Sequence, residues 1–379
     1  MAKRLVMGNE AVVQGALAAG CDFYAGYPIT PATEIMEEMS RELPRRGGVF
    51  LQMEDELGAL AAVIGAAWGG ARAMTATSGP GFSLMQEHIG YAAMTETPCV
   101  VVDAQRGGPS TGLPTLPAQG DVMQARFGSH GDRPAIVLTA SSVRGAYEAT
   151  RRAFALAERH RQPVVLLLDA VVAHMREPVD LPPPGPPTPR TWPVLAPDAP
   201  RFGGAPFVPF GAGPPVVVTG LAHDVRGLPR TGSGRETERM LRAAAERIER
   251  DPELAEGVRR YRLDDAEVGI VAYGITARAA QEAVDALRAV GVRAGLLDLE
   301  VLWPLARTSL AALAEQVDAV VVAELNLGQM ALAVEAAVGG RAPVRALTRA
   351  DGGLFAPEDI ARFVRDVAGV WGKGGRAYA

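Results

Sequence analysis

Cysteine is nearly absent: Cys21 and Cys99 are the only two in 379 residues. They stand alone, with no Cys-x-x-Cys and no histidine nearby in sequence, so neither a disulfide framework nor an all-protein iron–sulfur site can be built from this chain. Any such cluster must belong to another subunit. The five histidines, His88, His130, His160, His174 and His223, show no metal-ligand spacing, and the chain has neither a Walker loop nor Gly-x-Gly-x-x-Gly after a strand. No metal or nucleotide is assigned to them. An excess of charge is also missing, since 38 basic residues face 43 acidic ones and the net charge is −5. That balance gives no electrostatic reason for a nucleic-acid or membrane partner. No apolar run reaches bilayer length, and Leu5-Val6-Met7 after Met1-Ala2-Lys3-Arg4 is too short for a signal sequence. The expected location is cytoplasmic, and the expected partners are small molecules or other proteins.

The chain is rich in apolar and small residues. A hydrophobic share of 48% in 39.8 kDa supports a globular protein larger than one usual domain. From residue 4 to about 175, short apolar runs alternate with helical patterns bounded by glycine, the signature of an α/β fold with a parallel sheet. Asn9 reads as an N-cap, Phe23-Tyr24-Ala25 as a strand, and Thr30-Pro31 as N-cap plus first helical residue. Between Pro178 and Pro215 lie 14 of the 29 prolines, a density that stops helix and sheet alike and marks an extended connector. Residues 234–261 alternate Arg and Glu around Met240, Leu241 and Ile248, as a largely solvated helix would. From Val268 the α/β rhythm returns. The expected units are residues 1–178, a connector with its charged helix over 179–264, and a smaller α/β unit over 265–379.

Three strand ends carry candidate chemistry. Gly26-Tyr27-Pro28-Ile29-Thr30-Pro31 places a hydroxyl at the carboxyl end of a strand, where open α/β sheets bind ligands. Glu54-Asp55-Glu56-Leu57-Gly58-Ala59 places carboxylates at the next strand end and opens a helix rich in Ala and Gly. An acid there is ordinarily a macrodipole partner. The small residues that follow suit a closely packed interface, and a carboxylate at such an interface has a raised pKa and can share a proton with a ring nitrogen. Arg106-Gly107-Gly108-Pro109-Ser110-Thr111-Gly112-Leu113-Pro114-Thr115 ends a third strand, with an arginine suited to a carboxylate and glycines that permit close approach. An arginine in such a loop is more often simply solvated. Ser78-Gly79-Pro80-Gly81 is a weaker signal, because glycine and proline make turns everywhere.

Taken in order and spacing, these motifs closely resemble the alpha subunit of 2-oxoacid:ferredoxin oxidoreductases, most like the 2-oxoglutarate branch. The resemblance covers nearly the whole chain, including Thr219-Gly220-Leu221-Ala222-His223, Tyr273-Gly274 and Glu324-Leu325-Asn326-Leu327-Gly328-Gln329. It implies a pyrimidine-type thiamine-diphosphate-binding domain followed by a transketolase-C-terminal-like domain. The other half of the cofactor site, with diphosphate, Mg²⁺ and a [4Fe-4S] cluster, would come from a beta subunit. The sequence supports that division, because the diphosphate-binding domain uses Gly-Asp-Gly followed by a metal-binding Asn. Here Gly120-Asp121 continues with Val122, Gly131-Asp132 with Arg133, and the only asparagines are Asn9 and Asn326.

By the same likeness Glu56 is the catalytic acid that hydrogen-bonds the aminopyrimidine ring. Glu54 competes for the role, but only Glu56 is followed directly by the aligning Leu-Gly-Ala. Thr30, Arg106 and Thr115 match positions that hold the substrate carboxylate, and Tyr27, Pro28, Ile29, Ser78 and Gly79 fall at cofactor contacts. The implied reaction is oxidative decarboxylation of a 2-oxoacid, with electrons passed singly to iron–sulfur clusters and ferredoxin and the acyl group passed to coenzyme A. Some relatives fuse a gamma domain ahead of this region, so a separate gamma subunit is expected here and a ferredoxin-like delta subunit is an option. The alternatives are pyruvate or branched-chain 2-oxoacid specificity, a component of a non-redox thiamine enzyme, and a scaffold subunit without catalysis.

Overall fold

The computed structural model describes residues 3–185 and 190–371. The first half alternates strand and helix: β1 (Arg4–Met7), α1 (Gly8–Ala18), β2 (Phe23–Gly26), α2 (Thr33–Arg45), β3 (Val49–Gln52), α3 (Glu56–Trp68) and β4 (Ala73–Thr77). A short α4 (Pro80–Leu84) and α5 (Gln86–Met94) lead to the long β5 (Cys99–Gly107), the hairpin strand β6 (Leu113–Pro117) and α6 (Val122–Phe127). Then come β7 (Ile136–Thr139), α7 (Val143–His160), β8 (Pro163–Asp169), α8 (Ala170–His174) and β9 (Arg176–Val179). After the proline-rich stretch follow α9 (Gly234–Glu249), α10 (Pro252–Ala255), β10 (Val258–Tyr261), β11 (Val268–Ala272), α11 (Gly274–Ala289) and β12 (Ala294–Leu299). The chain continues through β13 (Val301–Trp303), α12 (Arg307–Gln316), β14 (Ala319–Glu324), α13 (Gln329–Val338), β15 (Val344–Thr348) and α14 (Pro357–Trp371).

The alternating pattern produces two mainly parallel sheets. In the larger, the order is β13-β7-β8-β5-β4-β2-β3, with β6 hanging from β5, and every neighbour is parallel except β13 and β6. The smaller is β10-β12-β11-β14-β15, parallel apart from its edge strand β10. β1 and β9 form a separate antiparallel pair. Side chains of β5 alternate between two cores, as a strand covered on both faces requires. Val100, Val102 and Ala104 pack with Val12, Ile35, Met39 and Phe154. Val101 faces the other way, into a core that runs from Leu60, Trp68 and Phe82 on to Tyr273, Leu297 and Val322. The two sheets therefore share one apolar interior, and β13 carries the second half of the chain onto the edge of the first sheet.

Several local expectations need correction. The first helix starts at Gly8 rather than being capped by Asn9; Glu10 Oε2 accepts from the Met7 amide at 3.0 Å, and Asn9 is buried. Thr30 is not an N-cap, because α2 begins at Thr33 after Ala32. The charged segment 234–261 is not one helix: it stops at Glu249, Asp251 caps α10 at Pro252, and the last residues become β10. Proline at position 252 lacks the donor that a continuing helix would use. What does hold is the solvated character of α9, which buries only Ala244 and Ile248.

The described part of the connector lacks helix and strand between β9 and α9, as its prolines dictate, yet it is fastened to the first sheet's helices. Trp68, at the end of α3, packs its ring 4.9 Å from Phe207, 5.4 Å from Phe210 and 6.1 Å from Phe202, and its indole donates to Thr97 Oγ1 at 2.8 Å. Arg161 lies over the Phe202 and Phe207 rings and donates to the Ala205 carbonyl at 2.8 Å. Trp68→Ala is expected to lower the stability of the chain by about 3–5 kcal/mol. Phe210→Ala, which removes a ring already 54% exposed, is expected to cost less. Urea unfolding of the two variants checks the order, and equal losses would mean that Trp68 does not anchor the strap.

Candidate active site

Parallel strands aim their carboxyl ends the same way, and four that are adjacent in the order β5-β4-β2-β3 carry the candidate residues. Arg106 sits at the end of β5, Ser78 and Gly79 follow β4, Tyr27 to Thr30 follow β2, and Glu56 opens the helix after β3. Motifs widely separated in sequence are thus neighbouring loops on one rim.

The carboxylates near α3 divide their work. Asp55 is the N-cap, its side chain accepting from the Gly58 amide at 2.7 Å. Glu54 is exposed. Glu56 is only 5% exposed, and its carboxylate has no side-chain partner among the described residues. It lies above Gly81, where an added Cβ would come within 2.4 Å of Glu56 Oε1 and 2.1 Å of Thr77 Oγ1. Only glycine leaves room for both groups there. Burial raises the Glu56 pKa, with a further contribution from the neighbouring Asp55 charge. The Thr77 hydroxyl is itself buried without a hydrogen-bond partner. The result is a largely buried acid and a buried hydroxyl, neither bonded to another side chain among the described residues.

Arg106 is 6% exposed. Its Nε donates to Ser78 Oγ at 3.1 Å, Ser78 Oγ donates to the Ala104 carbonyl at 2.7 Å, and Nη1 donates to the Thr111 carbonyl. Nη2 carries no hydrogen bond among the described residues. Gly79, at φ +47°, takes a backbone conformation that favours glycine, and the guanidinium lies against its turn at ordinary contact distance. The loop beyond is pinned at both ends by β6 pairing, Arg106 to Pro117 and Gly107 to Leu113. Gly352, from the second half, fits against Leu116 and Leu113 where any Cβ would clash. Thr115, on β6, is exposed.

Tyr27, Pro28 and Thr30 are exposed and Ile29 is half-buried. Asn9 holds their turn, donating from Nδ2 to the Pro31 carbonyl at 2.8 Å and to Glu34 Oε2 at 2.9 Å. Sequence reasoning missed Asn9 in this role, along with Thr77, Gly352 and Asp103, and read Gly81 only as part of a turn. For Asp103 a signal existed: a carboxylate within the apolar run Val100-Val101-Val102 is a buried charge, and these are seldom idle. For Gly81 the only signal was its place in the Ser78-Gly79-Pro80-Gly81 turn, and three-dimensional crowding is what sets that glycine apart among the 43. Among the described residues no group of three or more His, Cys, Asp or Glu side chains is placed to hold a metal ion, and no helix is long and apolar enough to cross a membrane.

Comparison with known proteins gives two matching family models. One, described as pyruvate flavodoxin/ferredoxin oxidoreductase, thiamine diphosphate-binding, matches residues 14–239, and the other, pyruvate:ferredoxin oxidoreductase core domain II, matches residues 266–360. The chain is 47% identical over 365 residues to the 2-oxoglutarate synthase subunit KorA of Methanothermobacter thermautotrophicus, covering 95% of this chain and 97% of the relative. Its structure is similar, at a TM-score of 0.89 and 34% identity, to a 2-oxoglutarate:ferredoxin oxidoreductase from Magnetococcus marinus with 2-oxoglutarate, coenzyme A and succinyl-CoA bound. That likeness spans 96% of this chain and 65% of the longer one. It also shares the fold of a split gene transketolase in an inactive beta4 tetramer, at TM-score 0.58 and 17% identity, over 95% of this chain and 97% of that one.

An acid whose pKa is raised on folding weakens the folded state once it ionises: stability falls as pH rises from the unfolded carboxylate value toward the folded one. Glu56→Gln removes that cost. The variant chain is therefore expected to melt higher than the native chain at pH 7, with the difference vanishing at a pH below about 4, where both forms are neutral. Thermal melts at pH 3.5 and 7 check it, and a lower melting temperature at pH 7 would show that the carboxylate is not held at a cost.

Proposed function

Because the chain belongs to the pyruvate flavodoxin/ferredoxin oxidoreductase family, we propose that it is the alpha subunit of an enzyme that decarboxylates 2-oxoglutarate oxidatively, reduces ferredoxin and forms the acyl-CoA. The observation that carries this reading is the desolvated, unpartnered Glu56 carboxylate on the same rim as the Arg106 guanidinium.

Glu56, the Thr77 hydroxyl and the glycines at 79 and 81 suit the aminopyrimidine end of thiamine diphosphate: the acid has no side-chain partner and the buried hydroxyl no hydrogen bond among the described residues, and the glycines leave a bare-backbone cradle. Bound there, thiamine supplies the nucleophilic carbon and the electron sink that 2-oxoacid decarboxylation needs. Glu56 holds a proton on the pyrimidine ring nitrogen, a task for which a raised pKa equips it. Tyr27, Pro28, Ile29, Ser78 and Gly79 shape the walls of that cradle. Arg106 offers Nη2 to the substrate's 1-carboxylate, and Ser78 fixes its direction. The hydroxyls of Thr30 and Thr115 flank the same opening and complete the carboxylate's shell.

The remaining half of the site belongs to a beta subunit that grips the diphosphate, its Mg²⁺ and a [4Fe-4S] cluster. Support comes from the rim itself, where Tyr27, Leu51, Leu57, Leu84, Leu113 and Leu116 are each more than a third exposed. Leu57, Ala61 and Gly65 also line an exposed face of α3, with open space around Gly65. A patch of this kind around a polar center is what a partner covers. A gamma subunit, and in some assemblies a ferredoxin-like delta subunit, completes the complex, and the cytoplasm is its compartment. We assign residues 1–178 to the pyrimidine-type thiamine domain, 179–264 to the connector with α9, and 265–379 to the transketolase-C-terminal-like domain. The last of these serves subunit contacts and coenzyme A access.

In the reconstituted complex, Glu56→Gln is expected to lower 2-oxoglutarate-dependent viologen reduction by about 10²–10⁴-fold, the range of a lost acid–base group. Arg106→Gln is expected to raise KM for 2-oxoglutarate by about 10–100-fold, as loss of a charge-assisted hydrogen bond would. Anaerobic assays with 2-oxoglutarate, pyruvate and 2-oxoisovalerate in parallel test substrate and residues together. Full activity of Glu56→Gln would make the chain a scaffold, and turnover without reduction of an iron–sulfur acceptor would make it part of a non-redox thiamine enzyme.

A further inference from the structure

Beneath Arg106 lie two carboxyl groups that the mechanism above does not use. Asp103, on β5, is fully buried, and among the described residues neither of its oxygens has a partner by ordinary donor geometry, although the Gly79 amide still favours its ionised form. Strand alternation turns it away from Val102 and Ala104 toward the face that Thr77, its register neighbour on β4, also occupies. Asp121 occupies the N-cap of α6, where aspartate normally accepts from the helix amides, yet it makes no capping bond. Its backbone amide instead donates to Gln105 Oε1 at 3.3 Å, and its carboxyl turns inward to face that of Asp103 within hydrogen-bonding reach. A residue that forgoes its local role is more often placed for a site than for the fold.

Two carboxylates cannot both stay ionised at such range without water, so one proton lies between them. We propose that Asp103 and Asp121 are a proton-sharing pair that positions Arg106 and takes up one further proton when a substrate carboxylate docks on that guanidinium. The inference rests on the assignment of Arg106 to the substrate. With the site empty, the pair's single negative charge balances the arginine. When the substrate's negative charge arrives on the same guanidinium, a proton moves from solvent to Asp121, and the buried cluster of two acids, arginine and substrate carboxylate stays neutral.

The surroundings leave Asp121 as the group free to respond. Burial, followed by the neighbouring Asp121, pushes Asp103 well above the usual carboxylate range. Burial brings Asp121 to about 6, restrained by Asp103 and Arg106. On the adjoining strand β8, Asp169 is engaged by the Ile275 amide at 2.7 Å and the Val172 amide at 3.0 Å. Glu324, at the end of β14, is engaged by the Met330 and Ala331 amides at 2.9 Å. From α13 the neutral Gln329 is bonded to the Met123 amide and the Gly120 carbonyl, β4 offers the neutral Thr75 and Thr77, and Arg126 of α6 is spent on the Arg133 carbonyl. Glu56 across β4 is the remaining acid, and the test removes it.

An anion beside an acid raises that acid's pKa, so substrate affinity should be level below about pH 6 and fall above it, by at most about tenfold per pH unit for one proton. In the complex carrying Glu56→Gln, held without coenzyme A or electron acceptor, turnover is slow enough for binding to be read. Calorimetric titration of 2-oxoglutarate into it at pH 7, in two buffers of different ionisation enthalpy, is expected to show uptake of up to one proton per site. Adding Asp121→Asn should abolish the uptake while binding heat persists. In the active complex, Asp121→Asn should flatten the rise of KM between pH 6 and 8, whereas Asp103→Asn, which leaves Asp121 titrating, should keep a slope. No proton uptake on binding, or a KM slope in Asp121→Asn equal to that of the native complex, overturns the pair. Arg106→Gln separates the two ideas: an unchanged KM there removes the Arg106 assignment itself, while a raised KM with no proton uptake removes the pair alone.

Discussion

A largely buried carboxylate with no side-chain partner among the described residues governs this protein. Glu56 sits largely buried at the opening of α3, beside Gly81, where an added Cβ would strike both its carboxylate and the Thr77 hydroxyl. An isolated buried carboxylate is expensive, and a chain keeps one only where something else completes its hydrogen bonding. Much of the rim follows from that need: Asp55 takes over the helix cap, Gly81 removes a side chain that would fill the space, and the loops after β2, β4 and β5 converge around the opening. The apolar side chains left at the edge of the rim are a consequence of the same incompleteness.

The scaffold holding this rim is stiffer than a two-unit chain suggests. One apolar interior passes from Leu60 and Trp68 through Tyr273 to Val322. Polar contacts reinforce it: Gln119, just after the Arg106 loop, donates to the Tyr273 carbonyl at 2.9 Å and accepts from the Leu325 amide at 3.0 Å, while Asn326 donates to the Gln119 carbonyl at 2.7 Å. The Tyr273-Gly274 and Glu324-to-Gln329 motifs thus act as the far side of a clamp on the Arg106 loop. Gly274 belongs there because an added Cβ would strike Asp169 and Gln119. Removing a single member would leave buried polar groups unsatisfied, a cost of about 1–3 kcal/mol each.

Strand and helix rhythm, the parallel sheet and the placement of polar turns at strand ends were all legible in the sequence, because they follow from periodicity and from glycine and proline. The distinction between Glu54 and Glu56 could be read only through likeness, yet the structure separates them by exposure. Caps were harder. Asn9 and Thr30 have the right chemistry for an N-cap, but Asn9 is drawn into tying down the Pro31 turn, and tertiary demand overrides propensity. The break after Glu249 was visible as Asp251-Pro252 and outweighed by the length of the charged pattern. Asp103 alone could have been noticed as an acid in an apolar run, but its pairing with Asp121 was out of reach, because nothing along the chain announces that β5 and the start of α6 bring them together.

The short strand Val301–Trp303 has a bearing on how such a chain can be divided. It pairs antiparallel with β7 and covers what would otherwise be an open row of amides and carbonyls at that border of the large sheet. A protein severed near residue 265 would keep every rim residue of its first half, yet present β7 as a bare, apolar template for adhesion to other molecules. Inheritance of the two halves as a single polypeptide is therefore favoured by solubility as well as by chemistry.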